Sequence, residues 1–216
     1  MVRTVSYSHT NSYEIVNELT DATKNIWLCF HGLGYLATYF KRYFQTLDAK
    51  ENNIILPQAP SKFYQGKDFK HVGASWLTRV DTQQEMQNNL NYIHAVLEAE
   101  KVKGDQRLIL FGYSQGVSIA TRFLKNYSDS IKAIVLHSGA VPKELTKQDG
   151  DHFKSLCNSF YYIMGTKDEY ATPERRKEEI PRLKMLFGTD CEMLEPEIKH
   201  EVHVPSLENI ATQLSS

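Results

Sequence analysis

Residues 108–120 constrain the fold of this chain more than any other stretch. They read LILFGYSQGVSIA, a short apolar run that passes through Gly-x-Ser-x-Gly into an apolar stretch that turns helical. This pattern predicts a strand, a sharp turn and a helix, with Ser114 at the apex. Gly112 and Gly116 let the helix pack closely on neighbouring strands. Ser114 is therefore the candidate nucleophile, although the same pentapeptide elsewhere is often only a turn.

Other short apolar runs alternate with stretches of helical spacing. Strands are predicted at residues 26–30, 53–56, 107–111, 133–136, 160–164 and 191–194, with an antiparallel edge pair at 2–7 and 13–16. Largely apolar strands are typical of a parallel sheet that is buried on both faces. The βαβα order predicts an α/β fold, a mostly parallel sheet with helices on both faces and ligand sites at the carboxyl ends of its strands.

Two of the predicted helices carry start signals. Asp81, with Gln84 three residues later, is a variant of the capping box. Thr172 precedes a proline and a glutamate, which predicts an N-cap, and Pro181 should kink or interrupt the helix that follows. Helical spacing also occurs over residues 36–47, 86–97 and 207–214.

Composition limits the broad class of the protein. With 216 residues, 41% of them hydrophobic, and no repeat or linker, the chain is predicted to form a single domain over residues 1–216. The net charge of −1 and the lack of long basic runs argue against a dedicated nucleic-acid binder.

The cysteines and the N-terminus indicate a compartment. Cys29, Cys157 and Cys191 are odd in number and widely spaced, which is typical of free thiols in a reducing environment. The N-terminus lacks the apolar core of a signal peptide, and no apolar run approaches the ~20 residues of a membrane span. We therefore expect a cytoplasmic protein without a stable membrane anchor.

A serine nucleophile needs a histidine to take its proton and an acid to orient that histidine. Asp168 is the candidate acid, because it lies in the loop after the predicted strand 160–164 and follows the serine in the chain. The alternative is an aspartate that only caps a turn or the next helix. His200 and His203 compete as the base, and we favour His200 because its loop can reach over the serine turn.

His203 is otherwise a loop or surface histidine. The His-x-x-His spacing of the pair lacks the further ligands of a zinc site, so we predict no metal and no cofactor.

Acyl transfer also needs N–H donors for the oxyanion of the tetrahedral intermediate. The backbone N–H of Gln115, directly after the serine, is one candidate. The loop after strand 26–30 reads His-Gly-Leu-Gly, and the backbone N–H of Leu33 is its candidate donor. His31 in that loop is expected to brace the turn.

These residues together resemble a known family. The motifs are HGLG at 31–34, LPQAP at 56–60, GYSQG at 112–116, GTKD at 165–168 and the late His-Glu at 200–201. In order and spacing they are similar to the phospholipase/carboxylesterase family of α/β-hydrolases, which includes the acyl-protein thioesterases. The resemblance covers nearly the whole chain. It implies an α/β-hydrolase fold with a minimal lid or none, and cleavage of carboxylic esters or, in some members, thioesters or lysophospholipids.

Two positions depart from the family pattern. Val117 stands where a second glycine commonly follows the turn, which should modestly alter the start of the helix. Lys199 replaces the usual glycine before the catalytic histidine, which leaves the choice between His200 and His203 open.

The connection 57–80 is long and aromatic, which favours a binding loop over the site. Phe63, Tyr64 and Trp76 are its candidate pocket residues, with simple packing of the loop as the alternative. We therefore expect a serine esterase or thioesterase with a small acyl substrate. A non-catalytic binding protein and a peptidase of the same fold are the alternatives, because the pocket and not the triad selects the scissile group.

Overall fold

A mostly parallel sheet organises residues 3–157 and 159–216, the part of the chain that the computed structural model describes. The strands are β1 (Tyr13–Val16), β2 (Asn25–Phe30), β3 (Asn52–Pro57), β4 (Ser61–Gln65), β5 (His71–Ser75), β6 (Leu108–Tyr113), β7 (Ala133–His137), β8 (Phe160–Ile163) and β9 (Glu192–Leu194). The helices are α1 (Ala37–Phe40), α2 (Thr82–Ala99), α3 (Gln115–Lys125), α4 (Lys147–Leu156), α5 (Pro173–Phe187) and α6 (Val204–Ser215).

The strand order of the main sheet is β1-β3-β2-β6-β7-β8-β9. Neighbouring strands are parallel except at one edge, where β1 runs antiparallel to β3. The predicted mostly parallel sheet is confirmed. The chain forms β1 at one edge, then β2 and β3, and continues through β6 to β9 on the other side of β2. Because β2, β6, β7 and β8 are parallel neighbours, their carboxyl ends lie at one edge of the sheet.

Side chains of the central strands alternate between two hydrophobic clusters. In β2, Ile26, Leu28 and Phe30 pack with the buried faces of α2, α3, α4 and α5. Trp27 and Cys29 point to the other face, where α1, the 3₁₀ turn after it and α6 pack. Helices therefore cover both faces, as predicted, and the burial of both faces explains why the strands read as continuous apolar runs.

The predicted strand at residues 2–7 is wrong for residues 3–7, which are exposed and irregular, and residue 2 lies outside the described part of the chain. The antiparallel partner of β1 is β3, with Tyr13 opposite Pro57 and Val16 opposite Ile54. Val5 and Tyr7 are the apolar side chains of the polar segment 3–12, and both are exposed, so pairing would bury little apolar surface.

Three helical expectations also change. Residues 36–47 form only the short α1 and a 3₁₀ turn at Lys41–Phe44. Asp81 precedes α2 with a left-handed φ of 50° and makes no capping hydrogen bond with its side chain, so the capping box is wrong. Pro181 does not interrupt α5, because Leu183 and Leu186 of its last turns are anchored in the core.

Thr172 does cap α5, as its side chain accepts a hydrogen bond from the N–H of Arg175. None of the helices in the described ranges is long and apolar enough to cross a membrane.

The long connection between β3 and α2 is an antiparallel hairpin of β4 and β5, with Ser61 opposite Ser75. Two hydrogen bonds tie this hairpin to the loop after β2. The N–H of Gly34 donates to the carbonyl of Ala74 (2.9 Å), and Gln65 Nε2 donates to the carbonyl of Gly34 (2.6 Å). The hairpin thus lies against the loop that contains Leu33.

Candidate active site

Ser114 lies in the sharp turn between β6 and α3 that the sequence predicts. Its backbone has φ 53° and ψ −114°, a conformation that a non-glycine residue adopts only when its surroundings enforce it. The Ser114 N–H donates to the carbonyl of His137 at the end of β7 (2.8 Å). The turn therefore presents the Ser114 side chain at the carboxyl edge of the sheet.

Close backbone packing enforces this turn. A Cβ atom on Gly112 would lie 2.5 Å from the carbonyl oxygen of Gly116, inside the turn itself. A Cβ atom on Gly116 would lie 1.9 Å from the carbonyl oxygen of Phe30 in β2. Both glycines are needed because backbone atoms occupy the space of any side chain.

Ser114, His200 and Asp168 form a continuous chain of hydrogen bonds. The Ser114 hydroxyl lies 3.0 Å from His200 Nε2, and His200 Nδ1 lies 2.8 Å from Asp168 Oδ2. A carboxylate only accepts, so Nδ1 carries the proton and Nε2 is free to accept from the Ser114 hydroxyl. The Asp168 side chain is 2% exposed, and its other oxygen accepts from the N–H of Tyr170 (2.8 Å).

The other candidate base faces a different partner. His203 precedes α6, and its Nδ1 lies 2.8 Å from the hydroxyl of Ser206 in the first turn of that helix. Of the two histidines, the structure brings His200 to Ser114.

Two tyrosines that the sequence analysis missed hold the His200 imidazole between them. The ring of Tyr170 meets it edge-on at 4.7 Å between centroids, and the ring of Tyr113 lies 5.3 Å away on a tilted plane. The Tyr113 hydroxyl also donates to the carbonyl of His200 (3.0 Å). Their positions offered a signal, since Tyr113 directly precedes Ser114 and Tyr170 follows Asp168 by two residues.

The loop after β2 lies directly against the serine. A Cβ atom on Gly32 would lie 3.1 Å from the Cβ of Ser114, which brings the next residue, Leu33, beside the turn. The N–H groups of Leu33 and Gln115 donate to no acceptor among the residues described. Both are therefore available to a ligand atom next to Ser114.

His31 braces this loop, as expected from its position. Its ring is fully buried, with Nδ1 2.8 Å from the Gly32 carbonyl and Nε2 accepting from the N–H of Ala59 (3.1 Å). Burial lowers the pKa of His31 to about 4. The neutral ring with its proton on Nδ1 satisfies both hydrogen bonds.

Trp76 lies beneath the same loop. Its indole N–H donates to the carbonyl of His31 (2.9 Å), and its ring packs edge-on against Phe30 at 5.6 Å. The Gln115 side chain holds the Trp76 backbone, accepting from its N–H at 2.9 Å. The indole has no exposed surface, so a role as a wall of the substrate pocket stays a prediction, while its contacts support the loop.

Phe63 and Tyr64 lie on strand β4 of the hairpin. The two residues are 40% and 59% exposed. The Tyr64 ring meets Phe69 edge-on at 5.4 Å, so the exposed side of the hairpin is aromatic. The hairpin borders the loop of Leu33, and a pocket role for these two residues stays a prediction.

A small open pocket adjoins Asp168 on the side of α5. Its lining includes the side chains of Tyr162, Tyr170, Arg175 and Glu179. The Glu179 carboxylate is buried and accepts from the N–H of Val141 (2.7 Å), and burial raises its pKa. Within residues 3–157 and 159–216, no cluster of three His, Cys, Asp or Glu side chains could hold a metal ion.

The chain is similar in sequence and in fold to known proteins. A sequence model of the phospholipase/carboxylesterase family matches residues 11–216. Acyl-protein thioesterase 2 of Zea mays has a TM-score of 0.70 at 16% identity, over 95% of this chain and 98% of that one. SOBER1 of Arabidopsis thaliana has a TM-score of 0.64 at 20% identity, over 88% and 97%. No curated protein sequence matches the chain.

A bacterial structure is similar as well. The phospholipase/carboxylesterase of Dyadobacter fermentans has a TM-score of 0.64 at 18% identity, over 96% of this chain and 99% of that one. At identities of 16–20%, the similarity to these structures shows the fold alone. The family assignment rests on the sequence model that matches residues 11–216.

The first prediction concerns the packing of the turn. Gly116→Ala should lower the free energy of unfolding by about 1–3 kcal/mol, because the new methyl group meets the Phe30 carbonyl. In a helix without such a contact, the same change stabilises by up to ~1 kcal/mol. Urea unfolding measures the difference. A Gly116→Ala variant that is as stable as the wild type, or more stable, would contradict the packing argument.

The second prediction concerns stability in mild acid. Burial lowers the pKa of His31 to about 4 and that of His137 to about 3, so both stay neutral in the folded protein while the unfolded chain binds protons below about pH 6.5. Stability should therefore fall between pH 7 and pH 5, by up to about 2 kcal/mol per histidine. Urea midpoints at the two pH values measure the loss.

A variant separates this effect from that of other titrating groups. Glu179, with its raised pKa, acts in the opposite direction. His137→Gln should reduce the acid loss, whereas His9→Gln in the exposed N-terminal segment should not. An acid loss of the same size in His137→Gln and in the wild type would refute the neutral assignment of His137.

Proposed function

Because this chain belongs to the phospholipase/carboxylesterase family, we propose that it is a serine hydrolase that cleaves carboxylic esters through an acyl-enzyme. The hydrogen-bond chain from Ser114 through His200 to Asp168 carries the proposal. A serine hydroxyl alone is a poor nucleophile at neutral pH, and this arrangement supplies the base and the orienting acid that it lacks.

In the acylation step, Ser114 Oγ attacks the carbonyl carbon of the ester. His200 Nε2 takes the hydroxyl proton as the new C–O bond forms, and Asp168 stabilises the imidazolium. The tetrahedral intermediate then collapses, the bond to the leaving alcohol breaks, and His200 returns the proton to that alcohol. Water repeats the sequence on the acyl-enzyme and releases the carboxylic acid and free Ser114.

The N–H groups of Leu33 and Gln115 are the proposed donors to the oxyanion. They flank Ser114 from the loop after β2 and from the start of α3, and loss of one such donor costs on the order of 3 kcal/mol in transition-state stabilisation. The contacts of His31 and Trp76 hold the first donor in place before substrate arrives. Preorganised donors of this kind cost no reorganisation during the reaction.

The proposed substrates are small acyl esters or thioesters. The exposed aromatic side chains of Phe63 and Tyr64 on the hairpin give the acyl group or its leaving group an apolar surface to contact. The triad itself does not distinguish an ester from a thioester, because the pocket selects the scissile group.

The third prediction tests the nucleophile. Ser114→Ala should lower kcat/KM for p-nitrophenyl esters by about 10⁴-fold or more, because the variant lacks the hydroxyl that forms the acyl-enzyme. Hydrolysis of acetate, butyrate, octanoate and palmitate esters measures this and also sizes the pocket. Ser118→Ala in the same helix is the matched control and should retain wild-type rates. Turnover that survives in Ser114→Ala would exclude the triad.

A fluorophosphonate probe separates the alternatives. Labelling of Ser114 without ester turnover would favour another scissile bond, such as that of a thioester or a peptide. Neither labelling nor turnover would favour a binding protein.

The fourth prediction tests the acid. Asp168→Asn should lower kcat on the order of 10³- to 10⁴-fold with little change in KM, because the amide neither fixes the His200 tautomer nor stabilises the imidazolium. Asp190→Asn, an exposed change, is the control and should have no effect. Steady-state kinetics with the best ester decide the matter, and a loss below about 10-fold would contradict the role of Asp168.

A further inference from the structure

One buried histidine contacts both halves of the proposed catalytic machinery. His137 is the last residue of β7 and has no exposed surface. Its carbonyl accepts from the N–H of Ser114 (2.8 Å), and its ring atom Nε2 accepts from the backbone N–H of His203 (2.9 Å). The same residue thus holds the turn of the nucleophile and the loop of the base.

The hydrogen bonds fix the protonation state of the ring. Because the His203 N–H only donates, Nε2 must be an acceptor, and the proton is on Nδ1, which donates to the Ser138 hydroxyl (2.9 Å). Tyr113 and Phe111 pack edge-on against the ring at 5.4 and 6.4 Å. Burial, followed by the nearby His203 and His200, lowers the pKa of His137 to about 3, so the ring is neutral at working pH.

Hydrogen bonds on both sides of His200 hold its loop to the rest of the fold. The Tyr113 hydroxyl holds the carbonyl of His200 itself (3.0 Å), and the His137 ring holds the chain three residues further on. Upstream, the carbonyl of Ile198 accepts from the N–H of Lys167 (3.0 Å). His200 therefore lies between two anchors that also hold Ser114: Tyr113 directly precedes it in the chain, and His137 binds its N–H.

We propose that His137 is a positioning residue that sets the separation between the Ser114 hydroxyl and His200 Nε2. This role rests on the proposed function, because it acts through the nucleophile and the base. Displacing Ser114 or His200 by about 1 Å can cost on the order of 100-fold in rate. Loss of the His137–His203 hydrogen bond should therefore lower kcat and leave substrate binding unchanged.

Two amide variants separate the two ring nitrogens. In His137→Gln the side-chain oxygen reaches the position of Nε2 and can accept from the His203 N–H, whereas in His137→Asn the shorter amide serves only the position of Nδ1. Both keep the carbonyl that binds Ser114. We expect His137→Asn to lower kcat by about 10- to 100-fold with KM within about 2-fold, and His137→Gln to stay within about 5-fold of the wild type.

A second variant removes the same hydrogen bond from its other end. His203→Pro deletes the backbone donor, and the φ of −89° at this position is near the range of proline. It should reproduce the kcat loss of His137→Asn, and the double variant should lose no more than either single one. Additive losses would overturn the proposal, and this cycle remains available if His137→Asn does not fold.

Amide hydrogen exchange at His203 reports on the hydrogen bond without reference to activity. Exchange should be faster in His137→Asn and near the wild-type rate in His137→Gln. His152→Gln, distant from the site, is the control.

The outcomes for the two proposals differ. A wild-type protein without turnover or Ser114 labelling would overturn the proposed function and with it this role. Wild-type turnover with equal kcat in both amide variants, or equal losses with unchanged His203 exchange, would overturn only the role of His137.

Discussion

The contact between the start of α3 and the end of β2 is the constraint on which the site depends. Gly116 lies so close to the Phe30 carbonyl that no side chain fits between helix and strand. This approach bends the chain at Ser114 into a conformation that costs about 1–3 kcal/mol and orients the hydroxyl toward His200. The same contact places the loop after β2, which contains Leu33, beside the start of α3, which contains Gln115.

Buried hydrogen bonds hold the remaining parts of the site in place relative to one another. His31 and Trp76 support the loop of Leu33 from below, and the side chain of Gln115 joins Trp76 to the helix that begins beside Ser114. Each of these groups is satisfied within the interior, which makes the arrangement rigid because breaking one bond leaves a buried donor or acceptor unpaired. The parts of the site follow separate strands, and these buried hydrogen bonds hold them together.

The sequence predicted the elements that depend on local pattern and missed those that depend on tertiary contact. Buried strands such as β6 consist of apolar runs, and the Gly-x-Ser-x-Gly motif predicts the turn at Ser114, so both features could be recognised from the sequence. Asp81 and Pro181 were misjudged because packing overrides local helix signals. The choice of His200 over His203 depends on how a loop crosses the sheet. A histidine at the end of β7 could have suggested His137, but its contacts join segments far apart in sequence.

The attachment of the hairpin to the Leu33 loop has an evolutionary consequence. Gly34 is bonded to the hairpin through both its N–H and its carbonyl, and a Cβ atom on Gly73 would lie 2.4 Å from the Gln65 amide and 2.6 Å from the Gly34 carbonyl. A carboxylate at position 65 would repel that carbonyl. A substitution at position 34, 65 or 73 should therefore require a compensating change at another of the three. The hydrogen bonds of Gly34, the residue after Leu33, thus restrain sequence change in the hairpin.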